Sequence, residues 1–339
     1  MPDAPAAPGP AASWREDVLG PEFQARTLPL PGGAEAVLVR HVPSTPGPSD
    51  PAVAGGTPGG APPARTAVLY VHGFVDYFFH PHVARAVAAR GHAFYAVDLR
   101  GYGRALAAHV AAGRDPNLVD DLALYAQDLD AAADVVRAAG HERLVVLGHS
   151  TGGLVAPLWA NARPGRADAL VLNSPWLELN ESWLMRGPAT WAIDVVGRFA
   201  PRLTVGSVGE HYGAALHRES GGEWDYDLAW KPHAGFPARA GWLRSVRRAH
   251  RRVARGLDLT IPVLVLASDR SGPARSWHDE LVTTDSVLDV VHIRERAPRL
   301  GSDVTVRTVV GGAHDLALSP QPARDAYLTT VLDWIESLT

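Results

Sequence analysis

From residue 66 onward, short and continuously apolar runs alternate with longer stretches in which apolar residues recur every three or four positions. The runs are "TAVLYVHG", "AFYAVDLRG", "RLVVLGHS", "ADALVLNS", "IPVLVLAS" and "DVTVRTVVGG"; the periodic stretches fall near 81–90, near 120–139, directly after "RLVVLGHS", near 287–297 and near 322–337. An unbroken β-branched run reads as a strand buried on both faces, and strands that alternate with helices build a parallel sheet covered on either side. The pattern predicts an α/β fold. Ahead of it, "FQARTLPL" and "AEAVLVRHV" flank "PGG", which predicts a β-hairpin turning at Pro31, Gly32 and Gly33.

Residues 1–13 and 43–64 break this pattern, being rich in Pro, Gly, Ala and Ser with no period. They carry too little apolar side chain to order themselves, so a tail and a loose loop are expected. Between residues 175 and 258 the strand runs also vanish, and Trp176, Trp183, Trp191, Trp224, Trp230 and Trp242 accumulate among Gly and Pro. The expected organisation is a core of residues 14–174 and 259–339 with a cap inserted at 175–258. The tryptophans either line a pocket or build the cap's own interior.

Composition narrows the chemistry. With 339 residues, 46% of them hydrophobic, the chain can bury a full core, and a net charge of −4 gives no field for nucleic acid or anionic lipid. "RSVRRAHRRVAR" at 244–255 is local, so a solvated Arg-rich helix face is the expectation. The N-terminus has no basic and apolar leader, and no stretch approaches a membrane span, which points to a soluble, cytoplasmic chain without stable membrane insertion. The absence of cysteine removes thiolate nucleophiles and Cys-ligated zinc. His80-Pro-His82 lacks a third ligand nearby, so no metal is expected there.

Gly148-His149-Ser150-Thr151-Gly152 has the G-x-S-x-G spacing, with a strand before it and a helix after it. Such a turn exposes Ser150 Oγ at the C-terminal edge of the sheet and places the positive end of a helix beneath it. A plain helix cap would not need glycine two residues away on both sides. Serine needs an adjacent base to act as a nucleophile. His314, in "VVGGAHDLALS", follows the last strand and is the best placed, whereas His72 and His149 read as residues that shape the site. For the acid that orients the base, Asp285 and Asp269 compete. Asp285 lies 29 residues before His314, room for one helix and one strand, and is favoured; Asp269 remains the alternative. Asn173 and Trp176 leave the sheet where a pocket should open, and with His72, Gly73 and His149 they form the expected pocket lining.

Taken together, "YVHGF", "DLRGYGRA", "GHSTGG" and "GGAHDL" resemble the segments of the α/β-hydrolase superfamily, over most of residues 22–339. Within it the chain is similar to monoacylglycerol lipase and lysophospholipase-like hydrolases, also labelled serine-aminopeptidase-like. The resemblance implies an α/β-hydrolase fold with an inserted cap and a serine esterase acting through an acyl-enzyme. It also implies oxyanion donors from the backbone N–H of Phe74 and Thr151, and it supports Asp285 through "TDSVLDV". A small-molecule ester is the implied partner, and no cofactor is implied. A peptidase is the alternative, with Glu178, Glu181 and Asp194 as an amine-holding cluster; a non-catalytic ligand-binding scaffold is another. Oligomeric state is not legible.

Overall fold

The computed structural model describes residues 13–43, 64–180, 188–207, 209–273 and 276–338. Nearly all of the expected tail and loose loop, together with Glu181, Trp183 and the Trp191 side chain, lies outside the described residues.

The strands are β1 (Arg15–Asp17), β2 (Gly20–Leu30), β3 (Ala34–His41), β4 (Thr66–Val71), β5 (Ala93–Asp98), β6 (Arg143–His149), β7 (Ala169–Asn173), β8 (Thr204–Gly206), β9 (Ala238–Arg239), β10 (Val263–Ser268) and β11 (Val304–Val309). The helices are α1 (Pro81–Ala89), α2 (Leu106–Ala111), α3 (Tyr125–Ala138), α4 (Thr151–Ala162), α5 (Pro188–Phe199), α6 (Glu210–Leu216), α7 (Ala240–Arg255), α8 (Val290–Arg296) and α9 (Ala323–Ser337).

Nine strands form one sheet in the order β1-β2-β3-β5-β4-β6-β7-β10-β11. β2 and β3 make the expected antiparallel hairpin through Pro31–Gly33, and the six strands from β5 to β11 run parallel. "TAVLYV" of β4 and "VLVLAS" of β10 are buried at all six positions, as a strand sandwiched between helix layers requires. Leu129 and Val136 of α3, Trp159 of α4, Val246 and Val253 of α7 and Ile293 of α8 pack on one face. Val83 and Val87 of α1 with Tyr327, Val331 and Ile335 of α9 cover the other.

Two elements differ from the sequence expectation. The helix near 287–297 is trimmed to Val290–Arg296 because Asp289 caps it, accepting from Val291 N at 2.9 Å, which leaves 285–289 as a loop. The Arg-rich helix α7 is not simply solvated: Arg247 is buried, and Trp242, Val246 and Val253 form an inward stripe. Among the described residues no helix is long and apolar enough to cross a membrane.

Register sets the stage for the site. Val71 pairs with Gly148 and His149 pairs with Asn173, so β4, β6 and β7 end side by side. β7 and β10 are also neighbours, yet the chain between them leaves the sheet, and α5, β8, α6, β9 and α7 all fall there. A third cluster of Tyr77, Phe79, Leu216, Tyr226 and Leu318, with Trp224 and Trp230 against it, joins that segment to the loops of the sheet edge.

Candidate active site

Ser150 sits between β6 and α4 at φ 51° and ψ −110°, a backbone region that L side chains rarely adopt. Three main-chain bonds hold it there. Its N–H donates to Asn173 O at 3.0 Å, and its carbonyl accepts from Leu154 N at 3.2 Å and Trp176 N at 2.9 Å. The glycines around it serve close approach. A Cβ at Gly148 would lie 2.5 Å from Gly152 O, one at Gly152 would lie 2.3 Å from Val71 O, and one at Gly153 would lie 2.8 Å from Pro175 Cα. The strain therefore rests on the serine, while its glycine neighbours let the first turn of α4 press on β4 and β6.

His314 reaches this edge on the loop after β11. Its Nε2 lies 3.0 Å from Ser150 Oγ, and its Nδ1 lies 3.0 Å from Asp285 Oδ1, with all three side chains buried. Asp285 Oδ1 also accepts from Val287 N at 3.0 Å and Leu288 N at 2.7 Å, which fixes the carboxylate from below. Backbone bonds from Asp285 N to Arg270 O (3.0 Å) and from Gly272 N to Asp285 O (2.8 Å) clamp the loop that carries it. Asp269 points elsewhere and accepts from Gly311 N at 2.8 Å, tying the end of β10 to the turn after β11. With Nδ1–H donated to Asp285, Nε2 is free to accept the hydroxyl proton of Ser150, the arrangement that activates a serine.

Phe74 and Thr151 both line the cavity beside Ser150, and neither backbone N–H has a partner among the described residues. His72 aims the first of them. Its Nδ1 donates to Gly73 O at 2.7 Å while its Nε2 accepts from Leu99 N at 3.0 Å, so one tautomer is fixed. Burial pushes the His72 pKa down and keeps the ring neutral. The Gly73 carbonyl and the Phe74 N–H share one rigid peptide plane, so pinning the carbonyl orients the donor. The Trp242 ring stacks on Phe74 at 4.3 Å from the side of α7.

The expected pocket residues divide. His149 and Trp176 line the cavity, whereas His72, Gly73 and Asn173 lie behind its wall because their polar groups are engaged in holding the loops. Asn173 Nδ2 donates to Asp315 Oδ1 at 2.7 Å, and its Oδ1 accepts from Leu316 N at 3.2 Å, so this side chain ties β7 to the loop that carries His314. Sequence reasoning missed Asp315, His80, His82 and Tyr212. His80 Nε2 lies 3.2 Å from Asp315 Oδ2, His82 Nε2 donates to Ala317 O at 2.9 Å, and Tyr212 OH accepts from Asp315 N at 2.8 Å. The signal was the His-x-His pair, whose two rings bond the loop that carries His314. Burial lowers the pKa of His149 to about 4, so it stays neutral beside His314.

The cavity measures about 680 Å³. Phe74, Val75, Leu179, Val287, Leu288 and Leu318 supply an apolar wall, and Asp76, Tyr212, Lys231, His233 and Asp315 a polar one. Of the described tryptophans in the 175–258 segment only Trp176 lines it; Trp224 and Trp230 pack in the third cluster. Asp76, His149 and Asp315 bring ligand-type atoms within 4.8 Å of one another. Their oxygens are already engaged: Asp76 Oδ1 by Lys231 Nζ at 2.7 Å, and Asp315 by Asn173, Ala317 N and His80.

The profile of the family described as "Serine aminopeptidase, S33" matches residues 62–321. The chain belongs to this family. It is 27% identical over 285 residues to a monoacylglycerol lipase of Mycolicibacterium smegmatis, covering 80% of this chain and 89% of that protein. The fold is that of the α/β hydrolases. A thermostable carboxyl esterase from Bacillus coagulans superposes with a TM-score of 0.63 at 14% identity, covering 94% of this chain and 99% of that one. The monoglyceride lipase of Saccharomyces cerevisiae superposes at 0.61 with 13% identity, covering 100% and 99%.

In this S33 family member two of the carboxylates expected to hold an amine, Glu178 and Asp194, do not line the cavity. Burial works against the Glu178 carboxylate, yet Arg247 bonded to its Oε1 holds its pKa down at about 2, and Arg296 bonds Oε2 at 2.8 Å. Asp194 pairs with Arg251 at 2.9 Å and Arg244 at 3.4 Å on the outer face of α5 and α7. Glu181 lies outside the described residues.

Proposed function

We propose that this S33 family member hydrolyses carboxylic esters of monoacylglycerol or lysophospholipid type through an acyl-enzyme. The observation that carries this reading is the continuous chain from Ser150 Oγ through His314 to Asp285, set at the wall of a half-apolar cavity. Ser150 attacks the ester carbonyl as its proton passes to His314 Nε2, and Asp285 steadies the imidazolium that forms. The Phe74 and Thr151 N–H groups receive the negative charge on the carbonyl oxygen. His314 then gives its proton to the departing alcohol. Water, deprotonated by the same nitrogen, attacks the acyl carbon and frees the acid. The apolar wall suits an acyl chain, the polar wall an alcohol part, and residues 175–258 act as a cap that shapes both.

The relative named monoacylglycerol lipase supports this substrate class. The peptidase alternative has no open carboxylate in the described cavity to hold an amine. A fluorophosphonate probe should label Ser150 in the native chain and not in Ser150→Ala, and p-nitrophenyl esters of graded length should turn over where aminoacyl-nitroanilides do not. Absence of labelling would favour the ligand-binding scaffold; preferential cleavage of the anilides would favour the peptidase.

A further inference from the structure

Of the 32 basic Lys and Arg residues in the chain, only Lys231 is a lysine, and it lines the cavity. It comes from the 175–258 segment and meets Asp76 of the loop after β4, Nζ to Oδ1, at 2.7 Å. The pair is well shielded, the side chains being 15% and 2% exposed. Its ammonium also lies over the rings of Phe79 and Tyr226, at 5.5 and 5.6 Å from their centroids. A compact, freely rotating ammonium is thus held among two rings and one carboxylate.

Asp76 occupies a telling position. Its Oδ2 accepts from Gly73 N at 3.4 Å, at the base of the peptide that carries the Phe74 N–H, and a ligand-type oxygen of it lies within 4.8 Å of His149 beside Ser150. Burial disfavours its charge, but the Lys231 ammonium bonded to it outweighs that and holds its pKa below the ordinary carboxylate value. The other cavity carboxylate, Asp315, has both oxygens bonded by Asn173, Ala317 N and His80. Asp76 is thus the group on this wall that would attract a substrate amine if nothing covered it.

Building on the esterase reading above, we propose that Lys231 is a resident counter-cation that fills the place of a substrate amine beside Asp76, so that the site selects esters carrying no positive charge and narrows the proposed class to monoacylglycerols over lysophospholipids with choline or ethanolamine head groups. Its ammonium repels a second cation in a cavity where charges are poorly screened. It leaves N–H donors for a hydroxyl or carbonyl oxygen of a neutral substrate. The discrimination is a property of one salt bridge, and removing its cationic half should invert it.

The test compares hexylammonium with 1-hexanol as competitive inhibitors of p-nitrophenyl butyrate hydrolysis and, as substrates that carry the difference in the alcohol part, butyrylcholine with its neutral isostere 3,3-dimethylbutyl butyrate. The native chain should bind hexylammonium at least tenfold more weakly than hexanol. Lys231→Met should raise the cation-to-neutral ratio tenfold or more in both measurements, and adding Asp76→Asn should abolish that gain. Equal binding of the two inhibitors by the native chain overturns the proposal, whether or not Lys231→Met folds. So does a folded Lys231→Met whose ratio stays within twofold of native. If the native chain hydrolyses no ester, the esterase reading fails; calorimetry with the two inhibitors still decides the proposal on its own.

Discussion

The edge of the sheet and the segment between residues 175 and 258 hold the site by different physical means. At the sheet edge the backbone does the placing. Three main-chain bonds set Ser150, two N–H donors set Asp285, and glycines with no room for a side chain, where a Cβ at Gly152 would fall 2.3 Å from Val71 O, let α4 sit against the strands. The 175–258 segment reaches the same cavity through side chains: Lys231 on Asp76, Tyr212 on Asp315 N, and Trp242 on Phe74. Placement by backbone tolerates change at most neighbouring side chains, whereas placement by side-chain pairs is rewritten by single substitutions. The first region suits a constant chemistry, and the second suits an adjustable choice of substrate.

The comparison can be broken at its strongest point first. Asp285→Asn should lower kcat/KM by about 10⁴, as loss of the orienting carboxylate does in serine hydrolases, while Asp269→Asn should leave it within about threefold; steady-state kinetics on a p-nitrophenyl ester distinguish them. The reverse result would move the acid to β10. Next, Gly152→Ala puts a methyl group 2.3 Å from Val71 O. It should destabilise the fold by about 3 kcal/mol and abolish probe labelling; an unchanged denaturant midpoint would show that the elbow can yield.

Trp242→Ala tests the other region. Loss of a buried aromatic side chain costs about 3–5 kcal/mol, and with Phe74 unsupported kcat should fall more than KM rises. An effect on KM alone would make Trp242 a pocket residue and no support for the donor at Phe74. A pH measurement then sharpens the picture. His250 Nε2 donates to Trp176 O at 2.9 Å while Nδ1 faces Arg247 at 3.0 Å, and burial followed by the Arg247 charge pushes its pKa down to about 3. An unfolded histidine takes up a proton near pH 6.5, so between there and about pH 3 the unfolded chain binds the extra proton and stability falls as pH drops. His250→Gln should flatten that dependence by about 1.4 kcal/mol per pH unit. The readout is denaturant unfolding at pH 6, 5 and 4.

What the sequence made legible follows the same division. Parallel strands, the hairpin at Pro31–Gly33 and the elbow at Ser150 were readable because periodicity and glycine spacing are local consequences of backbone geometry. Asp285 was favoured over Asp269 by the room needed for one helix and one strand, and it is the one that meets His314 at 3.0 Å. Asn173, expected in the pocket, lies behind it because its amide spans β7 and the His314 loop, a contact 142 residues apart in sequence. Lys231 and Asp76 are 155 residues apart and carry no local pattern. Only the chain's avoidance of lysine elsewhere hinted that this residue is unusual.

The φ of 51° at Ser150 also bears on how robust the fold is. Such a conformation costs a non-glycine residue about 1–3 kcal/mol, so glycine would be the more comfortable occupant. Ser150→Gly should therefore melt above both the native chain and Ser150→Ala while hydrolysing nothing; scanning calorimetry would show it. On the proposed esterase reading, the hydroxyl stands at the least hospitable torsion of the elbow because attack on the ester requires it there, and the fold gives up robustness to hold it.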